Sequence, residues 1–299
     1  MKWLAVADYH EMSRAGAERI CNVIAEASKA RRRVNIGLAT GNTMLELYPA
    51  LAKMLNENKV MLDLLHTYNL DEYVADGKAV PHSHPLSYYT YMHENLFRHI
   101  DPALGLTEDR IHFPDPLNPD AFDAELAAGG GLDLQLLGIG FNGHIAFNEP
   151  QSESEISAGE FAELPTRVIS LKPLTIETNS RLTAGGREDV VPRQAVSMGI
   201  GNIMAAKCVV LVATGESKAK AVYDTIRGPI TPRVPASVDR ESLECFVSGP
   251  LSFIVDDPGR QTIGSFHPIT DGDWCDGAYL SKDAEQLMQA ANSNDVDAI

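Results

Sequence analysis

The stretch Gly138-Ile139-Gly140-Phe141-Asn142-Gly143-His144-Ile145-Ala146-Phe147-Asn148-Glu149-Pro150 follows directly on an apolar run, Leu132-Asp133-Leu134-Gln135-Leu136-Leu137. The run reads as a buried strand bounded by turn residues. A strand ending in three closely spaced glycines, then an imidazole and a carboxylate, describes the rim of an α/β sheet. Ligands bind there, outside the carboxyl ends of the strands. Gly138, Gly140 and Gly143 let backbone come close to a ligand. His144 is the side-chain type whose ordinary pKa suits proton traffic near neutrality, and Glu149 is near enough in sequence to orient its ring. A Gly-rich turn after a strand is a generic α/β feature, and only further groups elsewhere in the chain give it catalytic meaning.

Working outward, helical spacing of apolar residues predicts a helix from Met12 to about Ala30, with Ser13 or His10 near its start. A strand over Val34–Ala39 leads into Thr40-Gly41-Asn42-Thr43 and then a helix with Met44, Leu47, Leu51 and Leu55 on one face. Leu64–Leu70 reads as a second strand ending in Asp71-Glu72, and a helix is expected through Tyr88, Tyr91, Met92 and Leu96. Asp120–Ala128 is expected to be helical, stopped by Gly129-Gly130-Gly131; Gln151–Pro165 is acidic and Ser-rich and reads as a loop or lid. Further strands are expected over Arg167–Leu171, Cys208–Ala213 and Ser252–Val255, with a helix over Glu216–Arg227 after Thr214-Gly215. Strands alternating with helices indicate a doubly wound, mostly parallel α/β sheet flanked by helices, Rossmann-like and single-domain. The domain is expected to span residues 1–262, followed by a polar, acidic tail over 263–299.

The balance of 25 basic against 41 acidic residues in 299 gives a formal charge of −16. That argues against binding nucleic acid or an anionic membrane surface, and an anionic ligand then needs a locally positive pocket. The four cysteines are far apart with no Cys-x-x-Cys pair, as reduced cytosolic thiols would be. Met1–Asp8 breaks into a charged helical pattern with no signal-like apolar stretch. No run approaches the ~20 apolar residues of a membrane span. A cytoplasmic protein is expected.

Several strand ends carry useful groups. Thr40-Gly41-Asn42-Thr43 joins a strand to a helix, so free backbone N–H groups can cradle a phosphate. Asp71 ends the second strand, and Arg181 and Lys218 are the candidate cations. Taken singly, each of these reads as an ordinary cap or surface charge.

Together, Gly37-Leu38-Ala39-Thr40-Gly41-Asn42-Thr43, Asn69-Leu70-Asp71-Glu72-Tyr73-Val74, His84-Pro85-Leu86-Ser87-Tyr88-Tyr89, Gly143–Pro150, Asn179-Ser180-Arg181 and Gly215-Glu216-Ser217-Lys218 resemble the glucosamine-6-phosphate deaminases, within the superfamily that also holds 6-phosphogluconolactonases. The blocks occur in family order across residues 34–228, and the Asn-Leu-Asp-Glu-Tyr and His-Ile-Ala-Phe-Asn-Glu-Pro blocks favour the deaminase branch. The resemblance implies conversion of an amino-sugar 6-phosphate and water to a ketose 6-phosphate and ammonia, without metal or other cofactor. It implies that His144 opens the pyranose, that Asp71 moves a proton from C2 to C1, and that Glu149 orients His144. It also implies that Gly41, Asn42 and Thr43, with Thr40, Arg181 and Lys218, hold the phosphate, and that Tyr88 and Gly138 line the sugar pocket. The implied partner is a small-molecule sugar phosphate, glucosamine or galactosamine, with homo-oligomerisation left open. A sugar-phosphate sensor without turnover is the alternative from another class.

Two departures stand out. Asn142 occupies a position where many members have Asp, and the comparable change in a serine protease costs about 10⁴ in rate through the wrong tautomer. An amide carbonyl can still accept the His144 N–H and Glu149 can supply the negative charge, so activity is expected. Beyond Pro235-Ala236-Ser237 the Leu-Gln-x-His common in the family is missing, with Leu243-Glu244-Cys245-Phe246 its nearest counterpart.

Overall fold

The computed structural model describes residues 2–238, 243–248 and 275–276. In chain order its elements are β1 (Lys2–Val6), α1 (Tyr9–Lys29), β2 (Val34–Leu38), α2 (Leu47–Glu57), β3 (Leu65–Asn69), β4 (Asp71–Ala75), β5 (Lys78–Ala79), α3 (Tyr88–Asn95), β6 (Ile111–His112), α4 (Pro119–Ala128) and β7 (Leu134–Leu137). They continue with α5 (Ala158–Ala162), β8 (Arg167–Ser170), α6 (Pro173–Thr183), β9 (Gln194–Ser197), α7 (Ile200–Met204), β10 (Val209–Thr214), α8 (Ala219–Arg227), β11 (Leu243–Ser248) and β12 (Cys275–Asp276).

The main sheet has eight strands in the order β12-β1-β11-β10-β7-β2-β3-β6. All its pairings are parallel except that of β12 with β1. Every residue of β2 and β7 is buried, as is most of β10, which is what a strand covered on both faces requires. The apolar runs quoted above are thus core strands of the expected doubly wound sheet. From β2 the chain winds outward through β3 to β6, then returns to place β7 on the other side of β2. The strand order reverses between these neighbours, so the turns leaving β2 and β7 flank one crevice. Such a switch point is where open α/β sheets bind ligands.

A second sheet, β5-β4-β9-β8, is antiparallel throughout. The sequence pattern does not separate it, and Arg167–Ser170 belongs here rather than to the parallel sheet. The chain changes sheets at Leu70-Asp71: the Leu70 amide still donates to Leu38 O (3.0 Å), while Asp71 already pairs with Ser197 of β9. Tyr73, Leu86, Phe147, Ile176 and Ala195 form a separate apolar cluster on this smaller sheet.

Other differences have local causes. Residues 2–6 form a strand between β11 and β12 rather than continuing a charged helix, because Leu4, Ala5 and Val6 find parallel partners in β11. Helix α1 begins at Tyr9, three residues before its first buried apolar side chain, since Asp8 caps it by accepting from the Glu11 amide (2.8 Å). Within 151–165, Ser157 and Glu160 close a capping box that starts α5. Leu243–Ser248 supplies the strand between β1 and β10, and Glu244 on it is tied to Arg19 of α1 (2.7 Å). The strand expected at Ser252–Val255 and the boundary expected at 262/263 lie outside the described residues. Of the expected tail, only Cys275–Asp276 is described. Among the described residues, no helix is long and apolar enough to cross a membrane.

Candidate functional site

At the switch point the turns after β2 and β7, the Leu70-Asp71 corner, the start of α3, one side of α6 and Lys218 enclose a cavity of about 540 Å³. Thr40, Gly41, Asn42, Thr43, Asp71, Tyr88, Gly138, His144 and Lys218 all line it. The expected site residues therefore converge from separate stretches of chain, with three exceptions.

Glu149 and Asn142 stand behind the wall rather than in it, and both bear on His144. The His144 Nδ1 lies 2.7 Å from Asn142 Oδ1, and Asn142 Nδ2 donates to Glu149 Oε2 (3.0 Å). The His144 amide also donates to Asn142 Oδ1 (3.2 Å), and Glu149 itself is 3.8 Å from the imidazole. As a carboxylate, Glu149 only accepts, so the amide must turn its Nδ2 to Glu149 and its Oδ1 to the ring. The nitrogen that carries the proton is then Nδ1, which leaves the lone pair on Nε2. Thr175 Oγ1, at the start of α6, donates to Glu149 Oε1 and fixes that carboxylate in turn. Sequence reasoning missed Thr175, which lies 26 residues from Glu149 with no local motif to mark it.

The imidazole is 20% exposed and lies against Gly140, where a Cβ would come within 2.3 Å of the ring. Only glycine permits that approach. Burial pulls the His144 pKa below its ordinary value, the Lys218 charge acts in the same direction, and Glu149 opposes both. Burial likewise lowers Lys218.

The third exception is Arg181. It is exposed on α6 and does not line the cavity. Asn179 does, two residues earlier, and donates to the Tyr73 hydroxyl (2.8 Å). Two helical positions differ by about 200° in direction, so residues i and i+2 cannot share a face. Among the expected cations, Lys218 alone reaches the wall, carried by a 3₁₀ turn (Glu216–Lys218) that follows β10.

Asp71 and Glu72 are neighbouring carboxylates with contrasting partners. Both are buried, at 5% and 2% exposure, and as neighbours on β4 they point to opposite faces. Glu72 accepts from the amides of Tyr73 (2.8 Å), Tyr88 (3.0 Å) and Tyr89 (2.9 Å) and from Ser87 Oγ (3.1 Å), holding the N-terminus of α3. Asp71 faces the cavity, and among the described residues no hydrogen bond reaches its carboxylate. Burial raises its pKa well above the carboxylate range, and the Glu72 charge adds to the effect. A buried carboxylate that receives no hydrogen bond from the protein is a stronger base once ionised.

The Tyr88 ring packs against Tyr73 (centroids 5.0 Å apart) and stacks with Phe147 (6.0 Å apart, 8° between planes). At Gly41 the backbone takes φ +119°, with nothing within 4 Å of a would-be Cβ. There the conformation, not the space, requires glycine.

Comparison with known proteins places these observations. Residues 7–245 match the family profile described as glucosamine-6-phosphate isomerases/6-phosphogluconolactonase. A protein named glucosamine-6-phosphate deaminase from Clostridioides difficile (strain 630) is 40% identical over 244 residues, covering 80% of this chain and 89% of the relative. Glucosamine-6-phosphate deaminase 2 of Bacillus subtilis (strain 168) is 39% identical over 245 residues, covering 80% and 90%. Among solved structures, one described as a monomeric glucosamine-6-phosphate deaminase superposes with a TM-score of 0.73 at 30% identity, covering 84% of this chain and 99% of that one.

Proposed function

Because the chain belongs to the glucosamine-6-phosphate isomerase/6-phosphogluconolactonase family, we propose that it is an amino-sugar 6-phosphate deaminase that converts glucosamine 6-phosphate and water to fructose 6-phosphate and ammonia. The observation that carries this reading is Asp71: a buried carboxylate with no protein partner among the described residues, on the wall of the cavity that His144 also lines. A lactone hydrolase removes no proton from C2, whereas an aldose–ketose isomerisation requires a base that does.

The proton inventory follows from the residues. His144, neutral with its lone pair on Nε2, passes a proton between the anomeric hydroxyl and the ring oxygen, which opens the pyranose. Asp71 takes the C2 proton, giving an enolamine, and returns it at C1. Water then adds to the resulting C2 imine, and ammonia leaves as the ketone forms. The C2 ammonium acidifies the proton that Asp71 removes, and the carboxylate's raised basicity narrows the remaining gap. Glu149 orients His144 and stabilises its imidazolium through Asn142. The amide keeps the tautomer because Glu149 determines which way it faces. The phosphate is held by the amides of the 40–43 turn and by Lys218, with Arg181 left out of the grip. Tyr88 and Gly138 bound the sugar.

Ammonia release by the purified protein, measured on glucosamine 6-phosphate and galactosamine 6-phosphate in parallel, tests the assignment. Turnover of the first with slower turnover of the second is expected. Ligand binding with no ammonia from either would instead establish a sensor.

A further inference from the structure

Three helices each send one tyrosine to the turn that follows β2. Tyr48 of α2 donates to Ala39 O. Tyr91 of α3 donates to Gly41 O (2.8 Å). Tyr9, the first residue of α1, shares its proton between Asn42 O (3.1 Å) and Thr43 O (3.2 Å), and its oxygen accepts the Glu46 amide (3.2 Å). The carbonyls of 39, 41, 42 and 43 are thereby all engaged by phenols.

In a trans peptide the C=O of one residue and the N–H of the next point in opposite directions. Fixing the carbonyls of Ala39, Gly41 and Asn42 therefore aims the amides of Thr40, Asn42 and Thr43 the other way. Among the described residues those amides donate to no protein acceptor, while Met44 and Leu45 bond back to Gly41 and Asn42. Thr40, Asn42 and Thr43 line the cavity.

We infer that Tyr9 and Tyr91 are positioning residues for anion binding: by holding the carbonyls of residues 41–43 they keep the turn's amides directed at the phosphate. The inference rests on the reading that this turn receives the phosphate. Tyr9 is the sharper test because it does not line the cavity and can act on a ligand only through the backbone. Burial pushes the Tyr91 phenol up, so it remains a donor throughout the working pH range. Tyr48 is fully buried, and its hydroxyl is bound up with the packing of α2.

The experiment compares wild type, Tyr9→Phe, Tyr91→Phe and the double variant. Inorganic phosphate is titrated calorimetrically, and KM and kcat are measured on glucosamine 6-phosphate beside the melting temperature. Tyr9→Phe is expected to raise the phosphate Kd and the KM by about fivefold each, the scale of one hydrogen bond. Its kcat should stay within about twofold of wild type, and the double variant should bind phosphate more weakly than either single one. A lowered melting temperature with unchanged phosphate Kd overturns the inference, because the phenols would then serve folding alone. Failure of the wild type to bind phosphate at all removes the underlying reading as well, and the two failures are distinguished by the wild-type titration.

Discussion

One part of the cavity wall is backbone and another is ionisable side chain, and the two solve different problems. The 40–43 turn presents amides whose direction is set by a glycine at φ +119° and by hydrogen bonds to the carbonyls behind them. Nothing in that wall titrates near neutrality, so its affinity for an anion rests on geometry. Elsewhere on the wall, Asp71 and His144 are moved in opposite directions by burial, one up and one down. Their usefulness rests on ionisation state. Changes to the first wall should therefore appear in binding, and changes to the second in turnover and its pH dependence.

The strongest challenge to that division is Asp71→Asn. It should lower kcat at least a hundredfold, on the scale of a positioned base, with little change in phosphate Kd. The same variant should melt at a higher temperature at pH 7. A carboxyl whose folded pKa is raised favours the folded state below its unfolded pKa and loses that advantage as pH rises through the folded value. Above the unfolded carboxylate pKa wild type carries a penalty for burying this group, and Asn does not. An unchanged or lowered melting temperature would mean that Asp71 is better solvated than its burial implies.

Glu149→Gln is next, with an expected kcat loss of about 10- to 100-fold, on the scale of disturbing a general acid–base partner. Gln can present its own amide to Asn142, releasing the constraint on which atom faces His144. A loss confined to KM would remove Glu149 from the proton-transfer wall. Lys218→Met should raise KM by about tenfold, as expected for one charge-assisted hydrogen bond, and leave kcat nearly unaltered. A kcat collapse there would show that the Lys218 charge, which also lowers the His144 pKa, serves proton transfer more than anchoring. The smallest effect should come from Glu72→Gln. Removing that charge lowers the Asp71 pKa, so the acidic limb of kcat/KM should move to lower pH. An immobile limb would assign it to another group.

How much of this was legible beforehand follows from how local each signal is. The β2 and β7 turns could be read because an apolar run, its terminal glycines and the functional residues are contiguous. The antiparallel sheet could not: its strands are short, and β4 pairs with β9 more than a hundred residues later. Asn179 and Arg181 sit in one quoted block, yet only helix phase, fixed by how α6 packs, decides which of them meets the cavity. Thr175 and the tyrosines behind the turn are invisible for the same reason, since each acts through an atom distant in sequence. That the Asn142 carbonyl can accept from His144, with Glu149 supplying the charge, is legible in the sequence. The order Glu149–Asn142–His144, in which the amide lies between the other two, is legible only in the structure.

The corner at Leu70-Asp71 divides the proton-transfer pair between two layers, with Asp71 riding on the small sheet and His144 on the loop after β7 of the large one. Their separation is thus a property of how the layers seat on each other. Loosening the cluster on the sheet that carries Asp71, for instance with Ile176→Ala, should lower turnover at temperatures where circular dichroism still reports native helices. Heat would then inactivate this protein by misalignment before it melts, and osmolytes that tighten the layers would extend its working range without touching a single reactive group.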